Sequence, residues 1–215
     1  MQKIVFENDS LKAEISQRGF IHIKWGEYQN TQSLLAQFGD VILQTEIREN
    51  PKSTRLLATN KPMGYHTDHH SAKYIAWFCN SQSSKGGASL LIDTVEVFNL
   101  MSSNALSQLQ DVHVRTHQVF YSDKLSLPLL SYDKSVPAVY YAKWLVNNPS
   151  DPKSHKALSQ FENLLEGTEP IKVVLSEGDI LVIDNHRMLH GREGFPENSN
   201  RWLTRYWLKQ STINI

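Results

Sequence analysis

The run Gly178-Asp179-Ile180-Leu181-Val182-Ile183-Asp184-Asn185 constrains the fold most strongly. An apolar stretch bracketed by a Gly-Asp and an Asp-Asn pair reads as a short strand over 179–184. It sits between two others, over 171–175 and 201–208, so the chain closes on three strands. Earlier pieces repeat the theme. Residues 20–25 alternate as a strand should, and strand-like segments recur over 41–47, 53–58, 73–79 and 112–119. Gly86-Gly87 reads as a turn feeding a buried strand that runs to Ile92. Helices are fewer. Asp9-Ser10 cap one before Leu11, Asn30-Thr31 open a short one that ends at Gly39, and Asp93 caps one through Met101. Two more are expected over 102–110 and 152–165. The state of 122–148, rich in Pro and Tyr, stays open. Many short strands with Gly and Pro turns, plus a few helices, predict a mainly β fold with flanking helices, a double-stranded β-helix or jelly roll.

A chain of 215 residues is most simply one domain, here 1–215. Lys+Arg and Asp+Glu both number 22, which argues against a general affinity for nucleic acid or an anionic membrane. The single cysteine, Cys79, excludes an internal disulfide and a thiolate metal cluster. It lies in an apolar run and is expected to be a buried strand residue. The first nine residues lack a basic start followed by an apolar core, and no apolar run reaches the roughly 20 residues that span a bilayer. A cytoplasmic protein is the expectation. Homo-oligomerisation is left open.

Chemistry concentrates in His66-Thr67-Asp68 and in His190. Two ligands spaced two apart project to one side of an extended segment, whereas on a helix they would diverge by about 200°. Two imidazoles and one carboxylate are the set that holds iron(II) on one face and leaves three positions open. His-x-Asp alone is a weak signal; the joint pattern with His190 is the informative one. Gly191 and Arg192 after it suggest a turn. Arg201 and Arg205 would share one face of the last strand, their backbones roughly 13 Å apart at about 3.3 Å per residue. An inward arginine is costly unless paired. Its partner can be a bound carboxylate held by two parallel hydrogen bonds, or a structural salt bridge.

Together these motifs resemble the taurine dioxygenase/TfdA-like family, whose wider group includes clavaminate synthase. The likeness spans nearly the whole chain. His66-Thr67-Asp68, the Asp184-Asn185 to Gly191-Arg192 run and Arg201-Trp202-Leu203-Thr204-Arg205 carry it, with Gly86-Gly87-Ala88-Ser89 in support. The resemblance implies that His66, Asp68 and His190 bind Fe(II) as the catalytic centre. It implies that Arg201 holds the distal carboxylate of 2-oxoglutarate, helped by Ser89, which stands where the family has threonine. Arg205 falls where relatives acting on acidic substrates meet the substrate's anion. Family halogenases lack the carboxylate ligand, so Asp68 favours hydroxylation.

The expected partners are O2 and a small amino-acid-like or carboxylate-bearing metabolite. Tyr65, His70 and Arg205 are candidate substrate contacts, and the aromatic 122–148 segment is a candidate lid. Three other readings are kept: a non-catalytic metal-binding jelly roll, an oxygenase acting on a carrier-bound or macromolecular substrate, and a zinc hydrolase on the same ligands.

Overall fold

The computed structural model describes residues 8–50, 52–53 and 56–210. Along the chain these form α1 (Asn8–Arg18), β1 (Phe20–Ile23), α2 (Thr31–Ala36), β2 (Asp40–Arg48), β3 (Met63–His66), β4 (Tyr74–Ser81) and β5 (Ser89–Asp93). There follow α3 (Thr94–Asn99), α4 (Ser103–Leu109), β6 (His113–Arg115), β7 (Ser126–Pro128), β8 (Leu130–Asp133), β9 (Val136–Val139) and α5 (Pro152–Gly167). The chain ends in β10 (Ile171–Val173), β11 (Ile180–Asp184), β12 (Met188–Arg192) and β13 (Trp202–Lys209).

Two antiparallel sheets form the frame, ordered β1-β11-β4-β13-β2 and β10-β5-β12-β3. The alternation of side chains along a strand explains the layers. On β11, Leu181 and Ile183 point between the sheets, where they meet Leu91, Met188 and Leu203. Ile180 and Val182 point the other way, into a cluster with Leu11, Ile15, Leu34 and Leu35 of α1 and α2. The second sheet repeats this arrangement. Leu91 faces inward, and its neighbour Ile92 packs outward against α3, α4 and α5 through Val97, Leu109 and Phe161. Strands covered on both faces need no polar alternation, which is why 180–183 is apolar throughout. This is the mainly β jelly roll with flanking helices that the sequence predicts. No helix among the described residues is long and apolar enough to cross a membrane.

Several local expectations hold. Asp93 caps α3 by accepting from Val95 N (3.0 Å), and Ser102 caps α4 by accepting from Ala105 N (3.2 Å). Cys79 is fully buried on β4. Others are corrected. α1 already includes Asp9-Ser10, which lie inside the helix rather than before it. Within 53–58 the described part is a 3-10 turn, Leu56–Ala58, not a strand, and residues 54–55 lie outside the described set. The 112–119 strand shrinks to His113–Arg115 because the chain beyond it curls into a loop. His190, Gly191 and Arg192 are in β12, not a turn: they pair with β5 on one side, and His190 and Arg192 also pair with β3 on the other.

Candidate metal and co-substrate site

β3 and β12 are neighbours, and His66 stands directly opposite His190. Opposed residues on adjacent strands present their side chains on one face, so the two rings lie with centroids 4.2 Å apart. Asp68 follows just beyond β3. Its position is set from the β11–β12 turn: Asn185 Oδ1 accepts from Asp68 N (2.8 Å), and Asn185 Nδ2 donates to the carbonyls of Ala72 (2.9 Å) and His69 (3.3 Å). One donor atom from each of His66, Asp68 and His190 lies within 4.8 Å of the other two, and all three residues are buried.

The electrostatics suit a cation. His66 Nδ1 donates to the Gly64 carbonyl (2.9 Å), which fixes the tautomer and leaves Nε2 its lone pair. Burial pushes both imidazoles toward the neutral form. For His66 this outweighs the opposing pull of Asp68, and for His190 it is reinforced by His66. Burial alone would raise the Asp68 carboxyl. Arg205, His190, His66 and the Trp207 hydrogen bond overcome it and hold the group at about 2. The set is therefore two neutral donors and one anion, with His190 Nε2 4.0 Å from Asp68 Oδ2.

For Arg205 the sequence leaves two partners open, a substrate anion and a structural salt bridge, and in the structure it makes the salt bridge. Its Nη1 donates to both oxygens of Asp68 at 2.8 Å. Arg205 and Trp207 share the inward face of β13, and a buried guanidinium takes the nearest carboxylate. Trp207 Nε1 adds a bond to Asp68 Oδ2 (2.9 Å).

A cavity between the sheets is lined by His66, His190, Ser89, Arg201, Leu203 and Arg205, among others. Arg201 is 4% exposed and its Nε donates to the Gly87 carbonyl (3.2 Å). Among the described residues it has no carboxylate within ion-pair distance. Burial, with Arg192 nearby, lowers its pKa to about 10. Gly87 makes room for it: at φ +73 a Cβ would stand 3.0 Å from Arg201 Cδ and Nε. A buried, anion-free guanidinium is unfavourable in isolation. That is the arrangement an acidic co-substrate would complete.

Two further candidates fall elsewhere. Tyr65 alternates with His66, so its ring turns to the outer face and packs on the α5 cluster rather than the cavity. His70 lies beyond the bend after Asp68. Its ring stands 4.2 Å from that of His69 and 5.9 Å from that of Tyr140. The 122–148 segment is largely structural: it supplies the β8–β9 hairpin and the buried Tyr140 and Tyr141. It also borders the site: Trp144 stands 5.2 Å from the His66 ring, Ala142 pairs with His66, and the Tyr141 carbonyl accepts from Thr67 N (2.7 Å). The sequence reading missed Asn185 and Trp207 as supports of Asp68. The signal available for Asn185 was a polar residue placed between an apolar strand and a candidate ligand.

A helix-flanked double-stranded β-helix with a buried His-Asp-His cluster beside an unpaired arginine defines a jelly roll of the TauD-like oxygenase class. Residues 13–207 match the family model described as taurine catabolism dioxygenase TauD, TfdA family, and the chain belongs to that family. It is 28% identical over 207 residues to the 3-((Z)-2-isocyanoethenyl)-1H-indole synthase of Fischerella ambigua (strain UTEX 1903), covering 85% of this chain and 73% of that one. It is 25% identical over 194 residues to dioxygenase str8 of Strobilurus tenacellus, covering 78% of this chain but 46% of that protein's length. Among solved structures, asparagine oxygenase with Fe(II), 2S,3S-3-hydroxyasparagine and succinate superposes at a TM-score of 0.76, at 15% identity, over 94% of this chain and 78% of that one. The non-heme iron oxygenase OrfP with Fe and alpha-ketoglutaric acid does so at 0.75, at 17% identity, over 95% and 80%.

Proposed function

We propose that this chain is an Fe(II)- and 2-oxoglutarate-dependent oxygenase, with His66, Asp68 and His190 as metal ligands and Arg201 as the anchor of the co-substrate. The observation that carries the reading is the pairing of two features in one cavity: three buried donors within 4.8 Å of one another, and a guanidinium with no carboxylate partner among the described residues. When bound, iron and 2-oxoglutarate supply the oxidising chemistry, in which O2 is consumed and the co-substrate leaves as succinate and carbon dioxide.

The chain's own part is binding and orientation. His66 and His190 offer neutral nitrogens, and Asp68 offers the one negative charge. Arg205 and Trp207 hold that carboxylate in place. Arg201 receives the far carboxylate of 2-oxoglutarate, with the Ser89 hydroxyl on the same cavity wall. Leu91 and Leu203 line the apolar sides of the cavity. The presence of Asp68 favours hydroxylation over halogenation, since no ligand position is ceded to halide. A small amino-acid-like substrate is the preferred class. The names of two structural neighbours, in complex with hydroxylated asparagine and hydroxylated arginine, support it. With Arg205 on Asp68, any substrate anion must find a different partner. The shared core of the two sheets supports a single domain over 1–215.

The test is anaerobic addition of Fe(II) and then 2-oxoglutarate to metal-free protein. A weak visible charge-transfer band is expected, and candidate substrates that bind should shift it. Folded protein that takes up metal but gives no band would refute the oxygenase assignment in favour of the zinc hydrolase or non-catalytic readings.

A further inference from the structure

Residues 116–125, between β6 and β7, form a closed loop. Thr116 N donates to the Leu125 carbonyl (3.1 Å), and Thr116 Oγ1 donates to the Lys124 carbonyl. Asp123 folds back on the loop: its Oδ2 accepts from Val119 N (2.9 Å) and Phe120 N (2.6 Å). Val119, Tyr121 and Leu125 face solvent, while Phe120 turns inward against His69, edge to face, at 5.2 Å.

The same Asp123 oxygen lies 3.1 Å from His69 Nε2, with side chains 3% and 0% exposed. The contact falls short of a well-aligned hydrogen bond, but its polarity is clear. Ser71 N donates to His69 Nδ1 (3.2 Å), so the ring proton resides on Nε2 and faces the carboxylate. For the same reason His69 has no free lone pair for an ion. His69, His70 and Asp123 do bring donor atoms within 4.8 Å of one another, yet they do not make a second metal site.

His69 also stacks on Trp207, with centroids 5.4 Å apart and planes 21° apart. Trp207 has a specific task at Asp68. Arg205 Nη1 contacts both carboxylate oxygens equally, so it does not distinguish them. Trp207 Nε1 contacts Oδ2. The indole therefore sets the rotation of the carboxylate, and His69 sets the indole.

We propose that Asp123 and His69 form a latch that seats the 116–125 loop and, through Trp207, holds Asp68 in its ligating orientation. Both are positioning residues, and the proposal rests on Asp68 being an iron ligand. Support groups directly behind a metal ligand typically change metal affinity by 10–100-fold; Asp123 acts through His69 and Trp207, so the low end of that range is expected.

The experiment titrates the metal-free full chain with Co(II), a surrogate that needs no O2, and follows tryptic cleavage after Lys124 in parallel. Wild type should bind one Co(II) and resist cleavage. Asp123→Ala should bind Co(II) about tenfold more weakly and be cut faster. Asp123→Asn keeps an oxygen that can accept all three contacts and should restore both properties. If Asp123→Ala does not fold, Asp123→Ser takes its place: its hydroxyl can still serve the loop but is too short to reach His69, and it carries the same expected loss of affinity. Unchanged Co(II) affinity in the Ala or Ser variant would overturn the latch. So would an Asn variant as weak as Ala, which would make the effect one of charge. A second Co(II) per chain, lost in Asp123→Ala, would put an ion where the latch is drawn and overturn it as well. Wild type that binds no Co(II) would instead refute the underlying metal assignment.

Discussion

Arg201→Met separates stability from function with opposite signs. Burial lowers the guanidinium from its ordinary 12.5 to about 10. At about 1.4 kcal/mol per tenfold change in acidity, that drop corresponds to about 3 kcal/mol. A basic group with a depressed folded-state pKa destabilises the fold at every pH below that pKa, so the whole cost is present at neutral pH. Methionine keeps most of the apolar stem but removes the charge. It also removes the charge-assisted hydrogen bond to the Gly87 carbonyl, worth about 1.5–3 kcal/mol. The balance is a gain of about 0–1.5 kcal/mol for the ligand-free protein, or up to roughly 6 °C in melting temperature for a domain of this size. Added 2-oxoglutarate should raise the melting point of the wild-type Fe(II) form by mass action and leave that of the variant unmoved. Thermal melts of both proteins, with and without 2-oxoglutarate, decide it. A variant less stable than wild type without ligand, yet equally stabilised by 2-oxoglutarate, would refute the claim that Arg201 awaits the co-substrate.

Asp68→Asn should abolish Fe(II) binding and, by leaving the buried Arg205 without its anion, cost about 3–5 kcal/mol in urea unfolding. Asp179 tests acid stability. Its carboxylate accepts from Ser176 N (2.9 Å) and Trp25 N (3.0 Å) and meets His22 Nε2 (2.9 Å). Burial would raise its pKa, but these contacts hold it below the usual 3.8. The resulting stability is complete above the unfolded-state pKa and is lost as pH falls through the folded one. Asp179→Asn should therefore be less stable than wild type near neutrality, with the gap closing in urea midpoints taken below about pH 4. Phe161→Ala, fully buried against Phe98 and Tyr141, should cost about 3–5 kcal/mol. Because this cluster lies outside the sheets, the 2-oxoglutarate charge-transfer band of the folded variant should be unchanged.

The sandwich was legible in the sequence wherever one strand carried its own signal. The apolar run at 180–183, the helix caps at Asp93 and Ser102, and the long amphipathic helix from Pro152 all depend on local chemistry. β3 and β12 were not legible as strands. They are only four and five residues long, and their extended state is set by each other and by β5. That same pairing is what brings His66 to His190. The direction of a side chain after a bend was equally hidden: Tyr65 turns outward because it alternates with His66, and His70 turns away because the chain bends past Asp68. For Arg205 the sequence leaves a bound anion and a structural salt bridge equally open, because nothing near it announces that Asp68, on a distant segment, neutralises it. The Gly87 carbonyl on Arg201 was not legible either, because it reaches across the cavity from the entry to another strand, the one on which Ser89 lines the same cavity.

The most direct measurement is anomalous diffraction at the iron edge from crystals of the Fe(II)-loaded protein grown without oxygen. The account predicts a single peak within coordination distance of one nitrogen from each of His66 and His190 and one oxygen of Asp68. A peak at His69, His70 and Asp123, or none at the β3–β12 pair in protein shown to bind iron in solution, would contradict it.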